Sequence, residues 1–269
     1  MLPEQNSPLC ESTIRDKLDS QTNKLLEILH ITDETESTNI LIHNFQPQRF
    51  FSVVLSESQT RGQGRRSKCW YSPSGVNIYL SISFYLTRFK QLQFLPLITG
   101  LAVCRTLSVE CSDGCQIKWP NDIYLGGKKL GGILVEAKQQ GERCKIISGI
   151  GLNINMRSGS EIDQQWTSLS KHSNNNYNRN DIIARLLTEL VSTYNKLSDF
   201  DLTGFMCDWN KYDYLNQKKI LVSDDLQIYE AKVLGLADDG ALKVSFWNKT
   251  QNRITKKKIY SAEVSVKPA

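Results

Sequence analysis

The sequence predicts an α+β protein that ends in a small β-barrel. Apolar runs typical of buried strands cover 50–55, 76–84 and 145–155. The stretch 181–197 instead places its apolar residues at helical spacing on one face, which is typical of an amphipathic helix. From Lys218 onward the chain changes to short β segments separated by turns. We therefore expect a larger domain of strands and helices followed by an all-β domain.

Length and composition are those of a globular protein. With 269 residues, the chain can bury a full core and still carry a small appended domain. Hydrophobic residues make up 40% and charged residues 23% of the chain, and no window approaches the roughly 18 uninterrupted apolar residues of a membrane span. The N-terminus has no basic segment followed by an apolar one, so no secretory signal is predicted. We expect a cytoplasmic protein with no membrane partner.

Charge and cysteine content exclude several functional classes. The net charge of +5 is a mild bias, which favours an acidic partner without indicating nucleic acid. The seven cysteines show no spacing typical of a zinc site, and their odd number suits reduced thiols. Only 36 residues precede Ser37, whereas an independent DNA-binding domain needs about 60 residues. We therefore expect no nucleic acid partner.

Three segments are predicted along the chain. Residues 1–30 form a short helical N-terminal segment, 31–216 form the main domain, and 217–269 form the β domain. In chain order, the further predicted elements are helices over 89–110 and 202–209, strands over 116–119, 219–222, 227–236, 241–246 and 254–260, and hairpin turns at 126–127 and 238–240.

A glycine-rich basic loop, 59–70, joins two of the predicted core strands. It reads QTRGQGRRSKCW, with Gly62 and Gly64 set among four cationic side chains. Guanidinium groups and free backbone N–H groups both suit carboxylate and phosphate oxygens, so such a loop can wrap a small anion. The same residues can instead form a solvated basic loop, and the loop alone leaves this alternative open.

Two further stretches carry groups that a ligand can use. Residues 37–39, Ser-Thr-Asn, are good N-cap residues for a helix beginning at Ile40, but their hydroxyl and amide groups can equally contact a ligand at a strand end. In the predicted strand 145–155, Gly149, Gly151 and Asn153 leave one face open to a ligand.

The most specific stretch, 118–136, reads KWPNDIYLGGKKLGGILVE. Its glycine pair at 126–127 predicts a tight hairpin turn. Across that turn, Asn121 and Asp122 face Lys129, in an arrangement that folding does not need. We therefore expect these three side chains to belong to a functional site.

Together these stretches resemble one known family, the biotin–protein ligases. E-T-E-S-T-N at 34–39, the basic loop, S-P-S-G-V-N-I-Y-L-S at 72–81, the stretch 118–136 and G-I-G-L-N-I-N at 149–155 follow one another in that family's order and spacing. The resemblance runs from about Ile14 to Lys267. It is closest to the monofunctional type, which lacks an N-terminal DNA-binding domain.

The resemblance implies both a fold and an activity. The implied fold is a class II synthetase-like catalytic domain, with a mixed β-sheet and helices packed on one side, and a C-terminal SH3-like β-barrel. The implied activity is an ATP-dependent, AMP-forming ligation, in which biotin is activated as biotinyl-5′-AMP and transferred to a lysine of a biotin carboxyl carrier protein. ATP and Mg²⁺ are the implied cofactors, and homodimer formation stays open. The alternatives are a lipoate or octanoate–protein ligase and a non-catalytic biotin-sensing regulator.

The resemblance also implies roles for individual side chains. Lys129, Arg65 and Asp122 match catalytic positions. The positions that match contacts to biotin, nucleotide or metal are Ser37, Thr38, Asn39, Gln59, Gln63, Gly64, Arg65, Trp70, Asn121, Lys129, Gly132 and Asn153. The loop departs from the family pattern G-R-G-R-x-G-R-x-W, because Gln63 replaces the first arginine and Ser67 replaces the later glycine.

Two expectations concern how the site works. Asp122 can orient the acceptor lysine or accept its proton, but it can also serve only to hold the hairpin or a metal. The loop 59–70 is expected to be mobile without ligand and to fold over the adenylate, with Trp70 shielding the ring end. A cationic, glycine-rich segment is costly to order until an anion meets its charges.

Overall fold

The computed structural model describes residues 7–45, 47, 50–87, 92–111, 113–223, 228–248, 252–260 and 265–268. These residues carry two β-sheets, one of seven strands and one of five. The α+β prediction is confirmed. The start of the predicted helix 89–110 and the first residue of the predicted strand 227–236 lie outside the described residues.

The seven-stranded sheet is mixed. Its strands are β1 (Leu26–Thr35), β2 (Phe51–Gln59), β3 (Ile78–Leu86), β4 (Gln116–Lys118), β5 (Asp122–Leu125), β6 (Lys128–Gln140) and β7 (Arg143–Leu152). They lie in the order β1-β2-β3-β7-β6-β5-β4. β1 pairs with β2 in parallel, whereas all the other neighbours are antiparallel. The mixed sheet that the family resemblance implied is therefore present.

The two long helices cover one face of this sheet. In chain order the helices are α1 (Glu11–Arg15), α2 (Ser20–Leu25), α3 (Thr38–Leu41), α4 (Leu95–Leu107), α5 (Leu169–Ser173), α6 (Arg179–Asn195) and α7 (Leu202–Tyr212). Tyr194 of α6 stacks on Phe84 of β3 with ring centroids 4.5 Å apart, and its hydroxyl lies 2.6 Å from Thr99 Oγ1 of α4. Both long helices therefore pack on the same face. Among the described helices, none is long and apolar enough to cross a membrane.

The alternation of side chains gives the sheet two different faces. In β7, Ile146 and Ile150 are buried in the main core, whereas Ile147 belongs to a separate small apolar cluster. Successive side chains of a strand point to opposite faces, so Gly149 and Gly151 share the face of Ile147. The face opposite α4 and α6 therefore carries open backbone at the end of β7.

The N-terminal segment is not helical as far as residue 30, which corrects the prediction. Helices α1 and α2 lie inside it, but β1 begins at Leu26 and joins the edge of the large sheet. Leu26 and Leu29 are buried, and their spacing also fits a helix. The strand forms because β2 offers parallel backbone pairing from Leu26 to Thr35, and that partner is distant in sequence. The division of the chain at residues 30 and 216 stays a prediction.

A buried ion pair fixes the end of β2. Glu57 Oε2 lies 2.6 Å from Arg179 Nη1 at the start of α6, and the Arg179 side chain is only 1% exposed. The backbone N–H of Leu9 donates to Glu57 Oε1 at 2.6 Å. Because a buried charge needs a partner and further hydrogen bonds, this arrangement joins the N-terminal segment, β2 and α6.

The second sheet is antiparallel throughout. Its strands are β8 (Lys219–Ser223), β9 (Ile228–Leu236), β10 (Leu242–Asn248), β11 (Arg253–Ile259) and β12 (Ser265–Pro268), in the order β11-β10-β9-β8-β12. The first four match predicted strands, and β12 was not predicted. The turn at 238–240 joins β9 to β10 and contacts the main domain, since Trp119 Nε1 donates to Gly240 O at 3.1 Å. This sheet is consistent with the implied SH3-like domain.

Candidate active site

A cleft opens where β5, β6 and β7 meet α3 and the loop 59–70. It lies over the interior strands β6 and β7, and the end of β2 and the 118–136 hairpin also line it, so chain segments far apart in sequence converge there. The residues that line it are Ser37, Thr38, Asn39, Gln59, Gln63, Gly64, Trp70, Asn121, Asp122, Lys129, Gly132, Ile133, Leu134, Gly149, Ile150 and Gly151. The structure thus brings together all of the predicted site residues except Arg65 and Asn153.

Arg65 and Asn153 lie outside the lining of the cleft. Arg65 is adjacent to it, with Nη1 3.4 Å from Asn121 Oδ1. Asn153 is buried, and its Nδ2 donates to Thr167 O at 3.1 Å. Asn153 therefore holds neighbouring backbone in place in this structure, and its predicted ligand contact stays a prediction.

The Ser-Thr-Asn stretch faces the cleft. Helix α3 begins at Thr38, earlier than predicted, and the Ser37 side chain makes no capping hydrogen bond. Ser37 thus occupies the predicted N-cap position, but its side chain does not cap the helix. Thr38 donates to Gln59 Oε1 twice, from its backbone N at 2.9 Å and from Oγ1 at 3.2 Å. These bonds orient the Gln59 amide, whose Nε2 donates to Ser72 Oγ at 3.0 Å.

A row of hydrogen bonds continues from Thr38 to the far side of the cleft. Ser81 Oγ lies 2.8 Å from Thr38 Oγ1 and 2.6 Å from Asn39 Oδ1, and it is fully buried. Asn39 Nδ2 donates to Glu136 Oε1 at 2.6 Å. We call this row the polar chain, and its members are Glu136, Asn39, Ser81, Thr38, Gln59 and Ser72.

Three members of the polar chain had no predicted role. Ser72, Ser81 and Glu136 all lie within the motifs that carry the family resemblance, but pattern alone does not show that they touch one another. The period-two alternation of β3 is the one available signal, because it places Ser81 on the face opposite Leu80 and the core.

Glycines in β7 make room for the side chains of the cleft. A Cβ atom on Gly149 would lie 2.1 Å from Asn39 Oδ1. A Cβ on Gly151 would lie 2.6 Å from Trp70 Nε1. Both distances are far shorter than any van der Waals contact, so only glycine permits this close approach. The prediction that these glycines open one face of the strand agrees with this geometry.

The loop 59–70 folds back on itself beside the cleft. The backbone N–H of Trp70 donates to Gly62 O at 2.8 Å, which closes the loop at its base. At the tip, Arg66 and Ser67 adopt left-handed backbone, with φ of 56° and 57°. A side chain in this conformation costs about 1 kcal/mol or more, and glycine avoids that cost. The family's glycine at the Ser67 position therefore has a physical reason, and serine retains the conformation here.

Trp70 covers the floor of the cleft. Its ring lies 5.4 Å from Lys129 Nζ, within cation–π distance, and it packs over Gly132 and Gly151. Its Nε1 is buried, with no hydrogen-bond partner in the part of the chain that the structure describes. A buried indole N–H usually has a partner, so this donor is an exception, and it is packed against Gly151.

Positive charge gathers at the hairpin end of the cleft. Lys129 Nζ lies 2.8 Å from Asp122 Oδ1, which confirms that these two side chains face each other. Lys118 Nζ lies 4.0 Å from Asp122 Oδ2, and this second lysine was not predicted. Burial, reinforced by the charge of Arg66, lowers the pKa of Arg65, and Asp122 partly offsets both. Lys129 and Lys118 thus face Asp122 while Arg65 lies beside Asn121, and this group of cationic side chains suits an anionic ligand.

Comparisons with known proteins identify the family. Residues 29–153 match the model of the biotin/lipoate A/B protein ligase family. The chain is 30% identical over 246 residues to the bifunctional ligase/repressor BirA of Escherichia coli, a match that covers 90% of this chain and 74% of that protein. The chain belongs to the biotin–protein ligase family.

Two further members of this family extend the comparison. The biotin–[acetyl-CoA-carboxylase] ligase of Mycobacterium tuberculosis is 32% identical over 192 residues, which are 68% of this chain and 70% of that protein. The biotin protein ligase of Aquifex aeolicus, solved in complex with biotin and ATP, has a TM-score of 0.74 and 24% identity, covering 90% of this chain and 99% of that chain. The second similarity confirms the fold.

The cleft suits a metal ion that arrives with a ligand. Within the described residues, no group of three or more His, Cys, Asp or Glu side chains could hold a metal. Mg²⁺, however, is commonly held by one or two carboxylates together with substrate phosphates. Asp122 supplies a carboxylate to the cleft, and phosphate oxygens would have to complete the coordination.

Proposed function

We propose that this protein is an ATP-dependent biotin–protein ligase. It joins biotin to ATP, forming biotinyl-5′-AMP and pyrophosphate, and then transfers the biotinyl group to a lysine of a biotin carboxyl carrier protein. The observation that carries the proposal is the two-ended cleft. One end is the polar chain, which offers donors and acceptors to a cyclic urea, and the other is the cation cluster around Lys129, which suits a carboxylate and phosphates.

Activation needs the carboxylate of biotin to attack the α-phosphorus of ATP. Two anions must approach each other, so the site has to neutralise charge where it develops. Lys129 extends from the hairpin into the cleft beside Asp122, where it can contact both the carboxylate and the phosphate. Arg65 approaches from the loop side, beside Asn121. Bound Mg²⁺ would neutralise phosphate charge next to Asp122.

Water has to be kept from the adenylate, because a mixed anhydride hydrolyses readily. Trp70 and the loop 59–70 provide this shield. The indole already lies over Gly132, Gly151 and Lys129, so the loop needs to close only over the nucleotide end. The mobility of the loop without ligand belongs to this proposal.

Transfer needs the acceptor lysine as a free amine. Asp122 is the carboxylate that can orient this amine or accept its proton. In the structure it is held by Lys129 at 2.8 Å and faces Lys118 at 4.0 Å.

The polar chain favours biotin over lipoate. The family model covers both biotin and lipoate ligases, so the choice between these substrates has to be argued from the residues of the pocket. Thr38, Asn39 and Gln59 bring hydroxyl and amide groups to the cleft wall. A dithiolane ring has no hydrogen-bonding groups to meet them, so lipoate gains none of the hydrogen bonds that a ureido ring can form with this wall.

Transfer to a carrier domain tests the whole proposal. The purified chain is mixed with biotin, ATP, Mg²⁺ and a biotin carboxyl carrier domain, and intact mass is measured. We expect one biotinyl group on one lysine, and no addition when that lysine is replaced by arginine. Labelling of a lipoyl domain with lipoate or octanoate, without labelling by biotin, would contradict the proposal.

A further inference from the structure

In the polar chain, two acceptors compete for the single hydroxyl hydrogen of Ser81. Ser81 has one hydroxyl hydrogen but two acceptors within reach, Asn39 Oδ1 at 2.6 Å and Thr38 Oγ1 at 2.8 Å. Thr38 sends its own hydroxyl hydrogen to Gln59 Oε1 at 3.2 Å. The direction of the Ser81 hydrogen bond therefore decides whether Thr38 Oγ1 keeps both of its lone pairs for a ligand or only one.

Glu136, which lies outside the pocket, determines which of the two acceptors receives the Ser81 hydrogen. An ionised carboxylate only accepts hydrogen bonds, so Asn39 has to turn its amide hydrogens toward Glu136 Oε1, at 2.6 Å. The Asn39 carbonyl then faces Ser81 and draws its proton. Without the carboxylate, the Asn39 amide can rotate and donate to Ser81, which then turns its proton onto Thr38 Oγ1.

We propose that Glu136 is a positioning residue that keeps the Ser81 proton off Thr38 Oγ1, so that both lone pairs of this oxygen can accept from an N–H group of the biotin ureido ring. Glu136 itself does not line the cleft, so it acts only through Asn39. Asn39 has both amide ends engaged, on Ser81 and Glu136, and orders the pocket instead of serving as the main ligand contact. This inference rests on the proposed function.

The geometry around Asn39 supports this division of roles. Asn39 is 6% exposed and is packed against the backbone of β7, where the missing side chain of Gly149 leaves space for its carbonyl oxygen. Asn39 and Glu136 lie 97 residues apart, so no turn or cap requires their contact. Glu136 lies on the exposed part of β6, where a carboxylate has no role in the core.

The test measures biotin-dependent exchange of labelled pyrophosphate into ATP for wild type, Glu136→Ala, Glu136→Gln and Glu142→Ala. Glu142 lies in the turn of the same β6–β7 hairpin, is exposed and touches no member of the polar chain, so its removal controls for charge. We expect Glu136→Ala to raise the KM for biotin about ten-fold, the effect of one lost hydrogen bond, with kcat and the KM for ATP unchanged. Glu136→Gln should recover most of the biotin affinity, because its carbonyl oxygen can still accept from Asn39.

A second pair of variants keeps the inference falsifiable if Glu136→Ala folds poorly. Asn39→Asp places two carboxylates together and should raise the KM for biotin. The double variant that also carries Glu136→Gln should have a lower KM for biotin than Asn39→Asp alone. In it, the glutamine amide and the Ser81 hydroxyl can both donate to the new carboxylate. If Glu136→Gln does not lower the KM for biotin of Asn39→Asp, the inference is wrong. It is also wrong if Glu136→Ala and Glu142→Ala have the same KM for biotin. A wild-type enzyme without biotin-dependent exchange would instead contradict the proposed function.

Discussion

The two faces of the seven-stranded sheet differ in side-chain size: one carries large apolar residues and the other carries glycines. Toward α4 and α6, β7 presents Ile146 and Ile150, which are buried in the main core. Toward the cleft, the same strand presents Gly149 and Gly151, whose missing side chains admit Asn39 and Trp70. One strand thus supplies apolar volume on one side and empty space on the other. We infer that stability and ligand binding are separable within single strands of this protein.

The largest effect is expected at the charged end of the cleft. Lys129→Ala should lower the rate of biotin-dependent pyrophosphate exchange by about 10²–10³-fold, because it removes a donor that stabilises developing charge. The fold should survive, since Lys129 lies beside the hairpin turn and not in the apolar core. Thermal melting followed by circular dichroism checks the second point.

Lys128→Ala is the matched control for this variant. Lys128 is the neighbouring residue in β6, is exposed and does not line the cleft. Its loss should leave the exchange rate within about two-fold, as is usual for an exposed surface charge. If Lys129→Ala also stays within a few-fold of wild type, or if it unfolds the chain, Lys129 is structural.

The open face of β7 should be sensitive to a single methyl group. Gly149→Ala forces Asn39 from its place, because the new Cβ would lie 2.1 Å from its Oδ1. We expect the KM for biotin to rise at least about ten-fold, since more than one polar contact is disturbed. The free energy of unfolding should fall by about 1–3 kcal/mol, because the new methyl group overpacks a buried site and displaces the hydrogen-bonded Asn39. Biotin-dependent pyrophosphate exchange and urea denaturation measure the two quantities.

The loop 59–70 covers the open face of the sheet but is not one of its strands, so its variants should affect ligand retention and not the sheet. Arg65→Gly should leave adenylation measurable but weaken the hold on the adenylate, because a charge that meets the phosphate is lost. We expect biotinyl-AMP to escape and to label lysines of unrelated proteins added to the reaction. Streptavidin blotting of such a bystander, with Arg61→Gly as the control, measures this escape. Arg61 is exposed and lies 3.6 Å from Glu36, outside the cleft lining.

Limited proteolysis examines the same loop directly. Cleavage between Arg61 and Lys68 should be fast in the free protein and slow with biotin and ATP, because the closed loop protects its backbone. Equal cleavage in both states, with no rise in bystander labelling for Arg65→Gly, would show that the loop does not cover the adenylate.

The smallest effect is expected on the helix-covered face. Ile146→Val removes one buried methylene and should cost about 0.5–1.5 kcal/mol of unfolding free energy. Ile146 is fully buried and does not line the cleft, so the KM for biotin should stay unchanged. A rise in this KM comparable to that of Gly149→Ala would mean that the two faces are not separable.

The parts of this structure that the sequence predicts correctly are those determined by a few neighbouring residues. The hairpin that joins β5 to β6 follows from its glycine pair, whose φ values of 56° and 75° suit the turn, and it brings Asp122 to Lys129. Helix α6 follows equally from its own periodicity. Such elements are decided within a few residues, so pattern alone suffices.

Long-range contacts explain what the sequence does not predict. Strand β1 forms because the edge of β2 is available, although the buried leucines at 26 and 29 also suit a helix. The contact between Asn39 and Glu136 joins α3 to β6 across 97 residues, so neither motif reveals it. The buried role of Asn153 likewise depends on Thr167, in a segment whose sequence is typical of a surface loop.

Biotin-dependent exchange of labelled pyrophosphate into ATP tests the central claim most directly. The assay reports formation of the adenylate in the cleft and needs no acceptor protein. We predict exchange that requires biotin and Mg²⁺, that is not supported by lipoate or octanoate at equal concentration, and that Lys129→Ala nearly abolishes. Exchange supported by lipoate or octanoate but not by biotin would contradict the account.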